Sequence, residues 1–117
     1  MTAAAPPDAG TRRVVLDNCV PRTILRHLNS LDVRRVEDYG WADEDDGPLL
    51  SFLEPVCDVS VTVDRNLPFQ QRLDHRPFAS IVLRAHSNRL KDLLPLVPRL
   101  LELVPDVAPG SVSRIPA

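Results

Sequence analysis

Val59-Ser60-Val61-Thr62-Val63-Asp64-Arg65-Asn66 decides how the rest of the chain is read. Val59, Val61 and Val63 alternate with small residues, the period-two pattern of a strand with at least one buried face. The strand is expected to stop at Asp64, because the Leu67-Pro68 pair that follows cannot continue a regular ladder. Val14-Val15-Leu16-Asp17-Asn18 repeats the arrangement. In open α/β sheets, chemistry gathers outside the carboxyl ends of buried strands. Two apolar strands that each end in Asp, with Asn within two residues, are the main functional clue.

Working outward, residues 13–17 read as the first strand. A helix follows, with Pro21 in its first turn and Ile24, Leu25 and Leu28 as its apolar stripe. Residues 32–36 read as a short second strand and 37–47 as an acidic loop carrying Tyr39 and Trp41. A helix over 46–54 takes Asp46 as N-cap, Pro48 in its first turn and Leu49, Leu50, Phe52 and Leu53 as its buried side. After the 59–63 strand comes a polar connection over 66–77, with room for one helical turn. Residues 79–85 form a nearly continuous apolar strand, as expected when both sheet faces are covered. Ser87 or Asn88 caps a Leu-rich helix that Pro95 and Pro98 must kink or divide, and 111–115 adds an edge strand. This order predicts an α/β protein, a three-layer α/β/α sandwich with a mostly parallel sheet.

One domain is expected over 13–117, after a disordered Ala/Pro-rich tail at 1–12. Met1–Gly10 lacks the basic and apolar regions of a signal peptide, and no apolar run approaches a membrane span. Cys19 and Cys57 have no metal-ligand spacing, and two cysteines make no disulfide framework. A cytoplasmic protein with reduced thiols is the expectation. The net charge of −2 hides a polarity. Residues 32–64 carry Asp32, Glu37, Asp38, Asp43, Glu44, Asp45, Asp46, Glu54, Asp58 and Asp64 against Arg34 and Arg35. Residues 65–99 carry Arg65, Arg72, Arg76, Arg84, Arg89, Lys91 and Arg99 against Asp74 and Asp92. An acidic site beside an Arg-rich surface suits a metal-dependent enzyme acting on a polyanion; solvated surface charge is the competing explanation.

In such a sheet Asp17 and Asp64 can meet at the carboxyl edge, with Asp46 at the start of the intervening helix. Three oxygen donors there suit Mg²⁺ or Mn²⁺. Asn18 and Asn66 can orient those carboxylates, and Arg65 can contact phosphate. Each residue has a structural alternative: Asp46 as an ordinary N-cap, the strand-end Asp and Asn residues as turn formers, Arg65 as a partner of the acidic loop. His27, His75 and His86 show no zinc spacing. No dinucleotide-binding glycine motif, Walker A sequence or Gly-x-Ser-x-Gly occurs.

The runs at 15–22 (Val-Leu-Asp-Asn-Cys-Val-Pro-Arg), 40–42 (Gly-Trp-Ala), 61–71 (Val-Thr-Val-Asp-Arg-Asn-Leu-Pro-Phe-Gln-Gln) and 87–98 resemble the small bacterial PIN-like proteins of unassigned function. These are in turn similar to the VapC-type toxin nucleases. The resemblance covers about residues 13 to 115. It implies a PIN-like fold, Mg²⁺- or Mn²⁺-dependent ribonuclease activity, and the toxin role of a toxin–antitoxin pair. Asp17, Asp46 and Asp64 match the catalytic, metal-holding acids. Asn18, Asn66 and Pro48 stand where many relatives carry further acids.

The first functional expectation is therefore a metal-dependent endoribonuclease, with Asp17, Asp46 and Asp64 on the metal, Asn18 and Asn66 behind them, and Arg65, Arg72 and Arg84 on the RNA backbone. Its partners are an RNA substrate and a small antitoxin-like protein or a second copy in a homodimer, with no membrane. The second is a catalytically weak PIN-like module that works through a protein partner. The third is a receiver-like phosphoacceptor domain, which needs a lysine after a late strand, whereas the single Lys91 falls within a helix.

Overall fold

The structure is a computed structural model and describes residues 12–116. Five strands form one sheet: β1 (Arg13–Leu16), β2 (Asp32–Arg35), β3 (Val59–Thr62), β4 (Ala79–Leu83) and β5 (Val112–Ile115). Their order across the sheet is β2-β1-β3-β4-β5, and every neighbouring pair is parallel. The helices are α1 (Asp46–Leu53), α2 (Leu67–Gln70), α3 (Leu90–Leu93) and α4 (Val97–Leu103). The chain is thus an α/β protein.

Side-chain alternation assigns the core to two faces. Val14, Leu16, Val59, Val61, Ala79, Ile81 and Leu83 gather with Ile24, Leu28, Leu93, Val97 and Leu100. Val15 faces the other way, among Val36, Leu49, Leu50, Leu53, Leu67, Leu73 and Phe78. Every residue of β3 and β4 is buried, which accounts for their near-continuous small and apolar sequence. Each buried Leu, Ile or Phe contributes about 1.5–3 kcal/mol. That burial offsets the weak intrinsic helicity of α2 and α3, each only four residues long.

The connections have a consequence for topology. The β1-to-β2 connection lies on the Ile24 face, whereas α1 and α2 carry β2 to β3 and β3 to β4 over the Leu50 face. From β4 to β5 the chain continues in the same direction across the sheet, yet α3 and α4 cross on the Ile24 face. The hand of this last connection is therefore opposite to that of the other three.

Several local expectations are corrected. The segment after Pro21 is a 3-10 helix at Arg22–His27, not an α-helix, and Val36–Tyr39 within the expected loop is a further 3-10 turn. Asp45, not Asp46, is the N-cap of α1, and its carbonyl accepts the Leu49 N–H at 2.9 Å. Arg89 is the N-cap residue of α3; Ser87 acts two residues earlier, its Oγ accepting the Arg89 N–H. The Leu-rich helix is divided: a 3-10 segment at Leu94–Leu96 contains Pro95, and Pro98 sits in the first turn of α4, where its missing N–H costs no helical bond. The expected tail lies outside the described residues up to residue 11. Arg12 is tied down, with Nη1 donating to the carbonyls of Val104 and Val107. Among the described residues no helix is long and apolar enough to cross a membrane.

Candidate active site at the carboxyl edge of the sheet

The sheet order reverses between β1 and β3: from β1 the chain moves outward to β2 and then returns to β3 on its other side. Such a switch point opens a crevice at the carboxyl ends of the two strands. Asp17 and Asp64 follow these two strand ends. The Asp17 N–H donates to the Val61 carbonyl at 2.9 Å and so extends the β1–β3 ladder by one residue.

Thr62 joins the two acids. Its Oγ1 donates to Asp17 Oδ2 at 2.8 Å and accepts the Asp64 N–H at 3.0 Å. One buried hydroxyl thus fixes the Asp17 carboxylate and the backbone that carries Asp64. Asp17 Oδ2 also accepts from Cys19 Sγ at 3.4 Å, and Oδ1 accepts the Asn18 N–H at 2.8 Å. Asp64 Oδ1 accepts the Asn66 N–H at 2.9 Å, and its carbonyl accepts the Leu67 N–H, which sets the turn into α2.

Asp46 completes the group from the first position of α1. Burial, then the negative charges of Asp17, Asp64 and Asp45, hold its carboxyl above the ordinary carboxylate value. A helix N-terminus favours a carboxylate; here burial and like charge outweigh it. Asp46 and Asp17 line one small cavity of about 20 Å³, with Thr62, Ser60, Val15, Val36 and the α1 leucines around them. That is space for about one water molecule.

The sign of the Asp46 shift gives a test. A carboxyl whose folded pKa is raised contributes stability below its unfolded value and loses it as pH rises through the folded pKa. At neutral pH the ionised Asp46 is therefore a burden on the metal-free fold. Asp46→Asn is expected to raise the thermal midpoint at pH 7 in chelator, and the gain should shrink toward pH 3. A lower midpoint at pH 7 would show that Asp46 is instead held by favourable contacts.

The other predicted residues are distributed differently from expectation. Asn18 contributes its backbone N–H to Asp17, but its side chain donates to the Ala42 carbonyl at 2.9 Å and pins the acidic loop to the end of β1. Asn66 likewise acts on Asp64 through its backbone. Arg65 Nη2 donates to the Ala85 carbonyl at 2.6 Å, at the neighbouring strand end and not to the acidic loop. Arg72 pairs with Asp74 in solvent, and Arg84 Nε donates to the Pro116 carbonyl on the β5 side. Glu37 pairs with Arg35 at 3.2 Å, and Pro48 lies in the first turn of α1.

Thr62, Cys19 and Asn88 were not expected at the site from the sequence, which offered Asn88 only as a helix cap. Thr62 carried a signal: it is the hydroxyl residue two before Asp64 in a strand with both faces buried, where a polar group needs a partner. Asn88 Nδ2 donates to the Cys19 carbonyl at 3.2 Å, bracing the loop after β4 against the end of β1. Both thiols are pushed toward the protonated form. Burial and the Asp17 charge raise Cys19, and burial pushes Cys57 up to about 12.

The donor chemistry of Asp17, Asp46 and Asp64 fits a hard divalent cation: all are oxygen donors, and the charges acting on Asp46 are negative. They do not stand as a closed cage. Among the described residues no three His, Cys, Asp or Glu side chains stand closely enough together to hold a metal ion, so a bound cation would have to draw these carboxylates inward. Comparison with protein-family models, with curated proteins and with solved structures finds no match for the chain.

Proposed function

We propose that this chain is a divalent-cation-dependent phosphodiesterase acting on RNA, with Asp17, Asp46 and Asp64 as the residues that hold Mg²⁺ or Mn²⁺. One observation carries this reading: Asp46, from α1, is charged against both Asp17 and Asp64, from two strand ends flanking the switch point. Acids remote in sequence whose charges oppose a half-buried carboxyl are a feature that stability alone does not favour. The resemblance of the runs at 15–22 and 61–71 to the small PIN-like proteins, themselves similar to toxin nucleases, points the same way.

When bound, the cation would supply a water of lowered pKa and stabilise negative charge on the phosphoryl oxygens. The chain's own part is positioning. Thr62 holds Asp17 Oδ2 and the Asp64 backbone with one hydroxyl, and the Asn66 N–H fixes Asp64 Oδ1. Hydrolysis forms a bond from water oxygen to phosphorus and breaks the bond from phosphorus to the 3′ oxygen, leaving a 5′-phosphate and a 3′-hydroxyl. The test is cleavage of end-labelled RNA with Mn²⁺ and with chelator, in the wild type and the Asp64→Asn variant.

A second reading is an interaction module of little catalytic power. It is favoured by the ring stack of Tyr39 on Trp41, with centroids 4.6 Å apart, continued by Phe52, which is 41% exposed beside the acidic loop. The receiver-like reading gains from the sheet order β2-β1-β3-β4-β5, shared with that class. It loses by Lys91, which lies within α3 and not after a late strand.

A further inference from the structure

We propose that the open groove at the carboxyl ends of β3 and β4 seats the phosphodiester backbone of a nucleic-acid strand, which reaches the acids from the β4 side. The groove, of about 620 Å³, has Asp64 and Arg65 on one wall and His86 and Asn88 on the other. It therefore shares Asp64 with the candidate active site, and the inference rests on that reading for what happens to the strand afterwards.

Three features of the groove suit a phosphate chain. Arg65 Nη2 is spent on the Ala85 carbonyl, which tethers the exposed guanidinium across the strand ends and leaves its other N–H groups for ligand oxygens. Asn88 spends one amide N–H on the Cys19 carbonyl and keeps the other. The loop between them is held in shape by Ser87, whose Oγ donates to Asp92 and accepts from the Arg89 N–H. Polar groups positioned by backbone contacts hold a strand in register without reading its sequence.

Direction comes from charge. Residues 84–92 contain Arg84, Arg89 and Lys91, with His86 beside them, against Asp92 alone, whose carboxylate accepts from Ser87 Oγ. On the opposite side, Glu37 and Asp38 share the one guanidinium of Arg35 at the far edge of the sheet, and Asp43, Glu44 and Asp45 fill the loop that Asn18 holds against the end of β1. The carboxyl edge of the sheet thus runs from acidic beyond β2, through Asp17 and Asp64, to basic beyond β4. Exposed charges act over about 10 Å at 0.1 M salt, so a polyanion is turned away from one end of this edge and drawn to the other.

The test is binding of a short fluorescein-labelled oligouridine in chelator, read by anisotropy at about 50 mM and about 200 mM salt. The wild type is expected to bind with a strong salt dependence. Arg65→Glu should weaken binding about tenfold or more, Arg65→Lys should retain most of it, and neutralising Asp43, Glu44 and Asp45 together should tighten it. Equal binding by the wild type and Arg65→Glu, or no wild-type binding at about 100 µM protein, overturns the proposal. Because chelator removes any cation, the result is independent of metal binding. A protein that binds Mn²⁺ but not oligouridine contradicts the groove alone, and one that binds oligouridine but not Mn²⁺ contradicts the nuclease alone.

Discussion

Asp64→Asn is expected to cut RNA at least about 100-fold more slowly than the wild type, a loss of about 2.7 kcal/mol of transition-state stabilisation. The substitution removes a charge and little else. The Asn amide oxygen can still accept the Asn66 N–H, and the Asp64 backbone still donates to Thr62 Oγ1. The turn into α2 should therefore persist, with an unchanged or higher thermal midpoint, since one of the charges opposing Asp46 is gone. Asp17→Asn should show the same loss of cleavage. Its cost to stability should be greater, because Asp17 accepts from Thr62, Cys19 and the Asn18 N–H together. Cleavage within threefold of wild type in Asp64→Asn would exclude Asp64 from the chemistry.

Phe78→Ala should lower the unfolding free energy by about 3–5 kcal/mol, measured by urea denaturation. Phe78 is 0% exposed, the largest fully buried side chain, and it packs within the cluster of Val15, Leu49, Leu50, Leu53, Leu67 and Leu73. Its removal leaves a cavity under α1 and α2, the helices that bring Asp46 and the Asp64 turn to the site. Phe69 provides the control. It is 80% exposed, with the Arg114 guanidinium 5.9 Å from its ring centroid, so Phe69→Ala should change stability by no more than about 0.5 kcal/mol. A Phe78→Ala cost below about 1 kcal/mol would mean that the Leu50 face is loosely packed.

How much of this was legible follows from which forces act locally. β1, β3 and β4 were readable because buried positions demand apolar or small side chains: 14–16 and 81–83 are apolar runs, and Val59, Val61 and Val63 alternate with small residues. An interruption of the Leu-rich helix, as a kink or a division, was readable because proline acts on its own neighbours; the structure shows the division. The placing of Asp17 and Asp64 after the two strands that flank the switch point was readable only as an expectation, since strand order is set by long-range packing and nothing local in 13–64 states it. The N-cap was misassigned by one residue because Asp45 and Asp46 are chemically identical, and the choice depends on where the backbone enters α1. Asn18 and Asn66, expected to orient the two carboxylates, do so through their backbone N–H groups. Asn18 turned to Ala42 because its amide found a carbonyl in a loop 24 residues on, a contact no spacing rule anticipates. Thr62 escaped notice for the opposite reason: in a Val-Ser-Val-Thr-Val run a threonine passes as an ordinary β-branched strand residue.

The measurement that bears most directly on the central claim is calorimetric titration of the folded protein with Mn²⁺, with Asp17→Asn and Asp64→Asn alongside. The predicted result is saturable binding in the wild type that both variants lose, as expected if a single cation draws together carboxylates from β1, β3 and α1. No binding at about millimolar Mn²⁺ in a well-folded sample, or binding that survives both substitutions, would contradict a shared carboxylate site.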